Sequence, residues 1–358
     1  MTQATGTMRP VLITGGAGFI GTNLANRLLE QGRRVLVYDN LSRAGVERNL
    51  QWLRARHGER LQVEVADVRD RERVRAAVAQ AGQVFHLAAQ VAVTSSLADP
   101  REDFDINLAG TLNVLEAMRA LDDPPSLLFT STNKVYGALD DIAMEIEGDR
   151  YQPREAELRE RGIGEWRALC FHSPYGCSKG GADQYVLDYA RSFGLPAALF
   201  RMSCIYGPHQ CGTEDQGWVA HFLIRALRGE AITIYGDGRQ VRDVLYVDDL
   251  VQALLRAQEQ MPELAGRAFN MGGGPANTLS LLELLALIEA LDGRPPQVKY
   301  GPWRVGDQRY YVSDARAFGH ATGWRPCVAA REGVARLHDW LAGTVSVPRA
   351  PATRTHAA

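Results

Sequence analysis

A chain of 358 residues that is 46% hydrophobic and 23% charged has the composition of a soluble globular protein, long enough for one large core or two lobes. Its net charge is −2, and its basic residues are scattered or, as from Arg69 to Arg75, interleaved with acids, which speaks against a nucleic-acid partner. Cys170, Cys177, Cys204, Cys211 and Cys327 are odd in number and lack CxxC spacing, so neither a disulfide framework nor a metal site is expected, and a reducing cytoplasm fits.

The leader Met1 to Thr7 has no apolar targeting region, and no run of about 18 apolar residues follows anywhere, so neither export nor a membrane is expected. Pro10 to Thr14 reads as a strand and Thr22 to Gln31 as a helix, with Gly15-Gly16-Ala17-Gly18-Phe19-Ile20-Gly21 between them. Glycines at three-residue spacing in a strand-to-helix turn let backbone N–H groups approach a pyrophosphate, whose charge the helix dipole favours. Gly15, Gly18, Phe19, Ile20 and Gly21 are therefore candidate cofactor contacts. The next strand, Arg34 to Tyr38, ends in Asp39-Asn40. An acid there is placed to accept hydrogen bonds from the adenosine ribose, and even with Arg43 nearby its charge disfavours a 2′-phosphate, which selects NAD.

Strands at Leu61 to Ala66, Val84 to Leu87 and Ser126 to Phe129 alternate with helices at Glu72 to Gln80 and Phe104 to Leu121. That alternation implies a parallel sheet with ligands at the carboxyl ends of its strands. Asp67 and Val68 follow the third strand, and Leu87, Ala88, Ala89 and Gln90 the fourth, all as further cofactor candidates. Thr132 lies beyond the fifth, where a hydroxyl can reach a substrate. The charged segment from Ala138 to Leu169 reads as a long surface excursion with a short helix.

Phe171-His172-Ser173-Pro174-Tyr175-Gly176-Cys177-Ser178-Lys179 then opens a helix that runs to about Phe193. Tyr175 and Lys179 are i,i+4 neighbours on it, and an ammonium beside a phenol lowers the tyrosine pKa from about 10. Lys179 is one of only three lysines, with Lys134 and Lys299. After the strand Leu195 to Phe200 the alternation breaks, and Gly207-Pro208, Gly212 and Gly217 lead to a helix at Trp218 to Arg228. Val244 to Val247, Asp248 to Glu259 and Ala268 to Asn270 are expected to return to the large sheet, and Leu279 to Leu291 to form a helix. The whole reads as an α/β protein, a Rossmann-type doubly wound parallel sheet with a smaller C-terminal substrate lobe. Its expected divisions are 8–201 with 239–270 for NAD, 202–238 and 271–343 for the substrate lobe, and a disordered tail at 344–358.

Taken together, Gly15 to Gly21, Asp39, Leu87-Ala88-Ala89-Gln90, Val135-Tyr136-Gly137, Tyr175 with Lys179, and Val241-Arg242-Asp243-Val244 resemble the extended short-chain dehydrogenase/reductase family of nucleotide-sugar epimerases and dehydratases. The resemblance implies NAD as cofactor, a nucleotide-sugar substrate, a homodimer or homotetramer, Tyr175 as base, Lys179 as its ribose-binding partner and Thr132 as the group orienting the sugar hydroxyl. Dehydratases of the family carry Asp-Glu after that hydroxyl, whereas Asn133 and Lys134 stand here, which implies epimerisation. Thr132 to Gly137, Phe171 to Lys179, Asp215 to Val219 and Asp307-Gln308-Arg309 are most similar to the subgroup that inverts carbon 2 of CDP-hexoses. GDP-hexose 2-epimerisation, UDP-sugar 4-epimerisation and a non-catalytic NAD sensor are the alternatives. Arg242 and Arg309 are the candidate diphosphate clamps, since a guanidinium fork matches phosphate oxygens. Tyr235 is a candidate to pack on the base, and Cys204, Gln210, Gln216 and Trp218 complete the substrate set. Cys177 and Cys204 read as small buried packing residues, with acid/base groups for an epimerisation without redox as the alternative.

Overall fold

Short runs of β-branched and aliphatic residues become the strands of one parallel sheet, buried on both faces. The computed structural model describes residues 9–304 and 306–344. Strands β1 (Val11–Thr14), β2 (Val35–Asp39), β3 (Leu61–Val65), β4 (Gln83–His86) and β5 (Ser126–Thr132) are joined by Ala197–Met202 and Ala268–Met271. Their order is Ala268–Met271, Ala197–Met202, β5, β4, β1, β2, β3, and every pairing is parallel. The order reverses between β1 and β4, which opens a crevice at the carboxyl ends of these strands.

Separate apolar clusters cover the two faces. One holds Ile13, Leu24, Leu28, Val37, Phe85 and Phe200 with Leu250 and Leu254; the other holds Leu12, Leu36, Val84, Leu115, Phe129 and Val186. Helix α1 (Phe19–Glu30) packs on the first face through Leu24, Ala25, Leu28 and Leu29. At 25 cal/mol per Å² the burial of such side chains supplies the main favourable term, about 1.5–3 kcal/mol each.

A second unit stands beside the crevice. Val241–Tyr246 pairs with Cys204–Tyr206, Thr278–Ser280 and Tyr310–Tyr311, and its own core includes Val219, Leu223, Ile234, Leu284 and Leu337. Within the stretch expected to return to the large sheet, Ala268–Met271 joins it, whereas Val241–Tyr246 belongs to this second sheet. Apolar alternation identifies a strand but not the sheet that receives it.

Two other stretches depart from what their sequence suggests. Ala138 to Leu169 contains an antiparallel hairpin, Met144–Glu147 with Arg150–Pro153, before the expected short helix Ala156–Arg161. Arg150 ties the hairpin to Glu283 at 2.7 Å, and Tyr151 N–H donates to the Arg239 carbonyl at 2.9 Å, contacts distant in sequence. The helix expected from Phe104 runs instead as Pro100–Phe104, a π-turn at Asp105–Ala109 and Gly110–Arg119. Thr344 closes the last helix, and the remainder of the expected tail lies outside the described residues. No helix among the described residues is long and apolar enough to cross a membrane.

Candidate active site

The glycine turn is built by close approach. Gly15 has φ +69°, and a Cβ there would stand 2.8 Å from the Ala88 nitrogen, so a side chain would collide with the β4 strand end. Gly18 is the N-cap of α1 and offers no side-chain cap, which leaves the first-turn N–H groups for a bound anion. At the tip of β2, Asp39 accepts from Ala17 N–H at 3.0 Å and Leu41 N–H at 2.9 Å. Burial nonetheless pushes its carboxyl above the usual range. This cradle, with an acid at its far end, fits a dinucleotide.

The fifth strand ends at Thr132, whose hydroxyl accepts from Lys134 N–H at 3.2 Å and caps the turn Asn133–Tyr136. Tyr175 and Lys179 come from the Ser173–Phe193 helix, entered through Ser173 at φ +65° and Pro174. Phe171 packs its ring on Gly180, where a larger residue would collide, and so anchors the start of that helix. Tyr175 is 8% and Lys179 3% exposed, and both line one cavity of about 710 Å³ with Thr132. That volume is within the range of small-molecule sites.

The expected drop of the tyrosine pKa is not what this geometry shows. Burial pushes Tyr175 up to about 12, with the Thr132 hydroxyl pulling it back and the Asp103 carboxylate adding to the rise. Lys179 instead donates to the Thr130 carbonyl at 2.7 Å and lies 4.2 Å from the Phe129 ring centroid. Burial lowers it to about 7, against the opposing charges of Asp183 and Asp103. Spacing of i,i+4 brings two Cβ atoms together but leaves the long side chain free to turn elsewhere. Behind the site, His86 is fully buried between the hydroxyls of Thr14, at 2.6 Å, and Thr111, at 3.1 Å. Burial holds it neutral, at about 3.

Most of the residues singled out from sequence meet in this cavity. Gly15, Gly18, Phe19, Ile20, Gly21, Asp39, Asn40, Val68, Leu87, Ala88 and Ala89 line its cofactor side. Cys204, Gln210, Gln216, Trp218, Tyr235 and Arg242 line the other. The buried oxygens Ser131 Oγ, Gln210 Oε1 and Gln240 Oε1 have no partner among the described residues, which suits a polar ligand.

Three expected contacts are not among the lining residues. Asp67 is taken by Arg69 at 2.8 Å and by Asn40 at 2.8 Å, and the Arg69 guanidinium holds its carboxyl down at about 2. Gln90 folds back, its side-chain amide donating to the Ala92 carbonyl at 2.7 Å. Arg309 points outward with its guanidinium carbon 5.6 Å from the Tyr151 ring centroid. Its neighbours Gln308 and Tyr310 are buried at 0% and 5%, so alternation along the extended chain turns Arg309 away. Cys177, expected to be buried, is exposed on its helix, while Cys204 is partly buried and accepts from the Trp218 indole at 3.4 Å.

Other lining residues carried no local signal as ligands. Arg304 stacks 3.9 Å from the Tyr235 ring centroid and pairs with Glu214 and Asp215 at 3.8 and 3.3 Å. Arg43 donates to Gln216 Oε1 at 2.5 Å, joining the two sides of the crevice. Lys134 and Asp307 complete the wall. Only folding brings these segments together; the Asp307-Gln308-Arg309 motif pointed to the right turn but, through Arg309, to the wrong side chain. The described residues contain no cluster of three or more His, Cys, Asp or Glu that could hold a metal ion.

A parallel sheet with this glycine turn, an acid closing the second strand, and a hydroxyl, a phenol and an amine sharing one cavity define a dinucleotide-dependent enzyme of the Rossmann class. More particularly, the chain belongs to the NAD dependent epimerase/dehydratase family, whose family model matches residues 11–272. It is 42% identical over 343 residues to the CDP-paratose 2-epimerase of Salmonella typhi, covering 92% of this chain and 98% of that one. The crystal structure of Thermotoga maritima UDP-glucose 4-epimerase with UDP-glucose superposes with a TM-score of 0.80 at 31% identity, covering 94% of this chain and 100% of that one. The Thermus thermophilus UDP-glucose 4-epimerase complex with NAD gives 0.78 at 33% identity, with coverages of 94% and 100%. The family expected from the sequence motifs is the family found.

Proposed function

We propose that this protein is an NAD-dependent epimerase that inverts carbon 2 of a CDP-hexose, in a reaction of the CDP-paratose to CDP-tyvelose type. The observation that carries epimerisation is the absence of a free acid beside Thr132 among the described lining residues. Asn133 and Lys134 follow Thr132, Asp307 is held by Arg242 at 2.6 Å, Glu214 and Asp215 face Arg304, and Asp39 lies at the end of β2. Loss of water from a sugar needs an acid on the departing hydroxyl and a base on the adjacent carbon, and this wall offers no such pair. Preference for carbon 2 and for cytosine is supported by the 42% identity to a CDP-paratose 2-epimerase.

In this reading the cradle from Gly15 to Gly21 holds the cofactor pyrophosphate and Asp39 the adenosine ribose. Bound NAD supplies acceptance and return of a hydride. Tyr175 takes the proton of the carbon-2 hydroxyl and returns it after the sugar has presented its other face. Thr132 holds that hydroxyl against the phenol, and Lys179 anchors the nicotinamide ribose while adding positive charge near the phenolate. Arg242 receives the substrate diphosphate. The large sheet is then the cofactor half, and the second sheet with the Trp218–Leu227 helix the nucleotide-sugar half. Phe104, Tyr185 and Phe193 remain 44%, 43% and 49% exposed, which supports assembly as a homo-oligomer.

The test is to incubate the NAD-loaded protein with CDP-, GDP- and UDP-hexoses in deuterated water and to locate the inverted carbon by NMR. Inversion at carbon 2 of the CDP-sugar, without deuterium at that carbon, is the expected result. Deuterium at the inverted carbon would overturn the hydride route. Inversion only at carbon 4 of a UDP-sugar, the reading favoured by the likeness to UDP-glucose 4-epimerases, would overturn the substrate.

A further inference from the structure

The cavity wall next to Thr132 carries a positive charge that the reaction described so far does not use. Lys134 sits two residues beyond Thr132 in the turn Asn133–Tyr136 and lines the cavity. Among the described residues its ammonium meets one acceptor, the Gly306 carbonyl, at the long distance of 3.5 Å. The adjacent residue, Asp307, has its carboxylate taken by Arg242 at 2.6 Å. Two cations thus flank the Gly306-Asp307 turn and share one carboxylate, an excess of one positive charge. Arg242 is 7% exposed, so water compensates its charge poorly, while Lys134 is partly exposed.

Around Lys134 stand Arg242, Asp307 and Cys204, and burial together with the Arg242 charge lowers its ammonium to about 8. Cys204 accepts from the Trp218 indole, and a thiol is in any case a weak donor. The strong donors at this position are therefore the ammonium and the guanidinium. The helix Trp218–Leu227 begins at Gly217 without a side-chain cap, and Gly217, Trp218 and Val219 line the same cavity. A multiply charged anion is the ligand that such a surface would compensate.

We propose that Lys134 clamps the substrate diphosphate opposite Arg242. The proposal rests on the nucleotide-sugar reading.

The test measures binding of CDP and of cytidine to the NAD-loaded protein by calorimetry, for wild type, Lys134→Met and Lys134→Arg. Lys134→Met is expected to weaken CDP about ten- to a hundred-fold, the range for a hydrogen bond to a charged group, and to leave cytidine unchanged. Lys134→Arg is expected to recover most of the loss. Wild-type affinity for CDP should fall as pH rises through and above about 8, as the free ammonium loses its proton; the Met variant should lack that fall. Equal CDP affinity in wild type and Lys134→Met, or parallel losses of CDP and cytidine, would overturn the clamp. If wild type binds UDP or GDP instead of CDP, the cytosine assignment fails, and the same comparison with that diphosphate and its nucleoside decides on Lys134.

Discussion

Replacing Tyr175 by Phe removes one oxygen from the centre of the cavity and leaves the ring. The phenol is held at about 12, so at a pH near 7.5 its ionisation costs about 6 kcal/mol, at about 1.4 kcal/mol per unit. A phenol in that state is a poor base. The cationic cofactor ring and Lys179 must offset much of that cost by stabilising the phenolate. The expected loss of turnover in Tyr175→Phe is therefore that of a general base, about 10²–10⁴-fold. Stability should change little, because the ring and its packing are kept and only a hydroxyl at the cavity wall is removed. Turnover is followed by NMR, cofactor content by absorbance after denaturation, and CDP affinity by calorimetry. Wild-type activity should rise with pH as a larger share of the phenol ionises, and this limb should vanish in the variant. Turnover within tenfold of wild type, or an unchanged rising limb, would refute the assignment of Tyr175 as the base.

Asp39→Ala should weaken NAD binding at least tenfold and narrow its advantage over the 2′-phosphorylated cofactor, because the carboxylate that excludes the phosphate is gone; titration of the stripped protein with each cofactor measures both. An unaltered preference would separate Asp39 from cofactor selection. Arg201→Met leaves Asp183 fully buried without the two bonds of 2.9 Å it now receives, and should cost about 3–5 kcal/mol in urea unfolding. A loss under about 1 kcal/mol would mean that water or a neighbouring side chain takes over that charge.

Much of the cofactor side was legible because its determinants are local. The strand, glycine turn and helix from Val11 to Glu30 are contiguous, and Gly15 is required by a positive φ and by the nearness of Ala88. Asp39 is likewise located by the end of its own strand. Tyr175 and Lys179 could be paired by helical spacing, yet their ionisation could not be read from it. Burial raises the phenol and lowers the ammonium, and burial is a property of the surrounding fold.

The substrate side depended on tertiary structure throughout. Val241–Tyr246 was recognisable as apolar and extended, but backbone hydrogen bonds to Cys204–Tyr206, Thr278–Ser280 and Tyr310–Tyr311 place it in the second sheet. Arg309 and Arg242 are the same residue type in equally suggestive motifs. Strand alternation turns Arg309 onto Tyr151, while Asp307 holds Arg242 in the cavity wall. In the sequence Lys134 stands where a dehydratase carries an acid, and its place beside Arg242 comes from a turn more than 170 residues away in the chain. Local sequence determined the cofactor cradle and the identity of the reacting side chains, because those follow from backbone conformation and short-range spacing. The tertiary fold decided which charges face one another across the cavity, because those pairs join segments that only the packed sheets bring together.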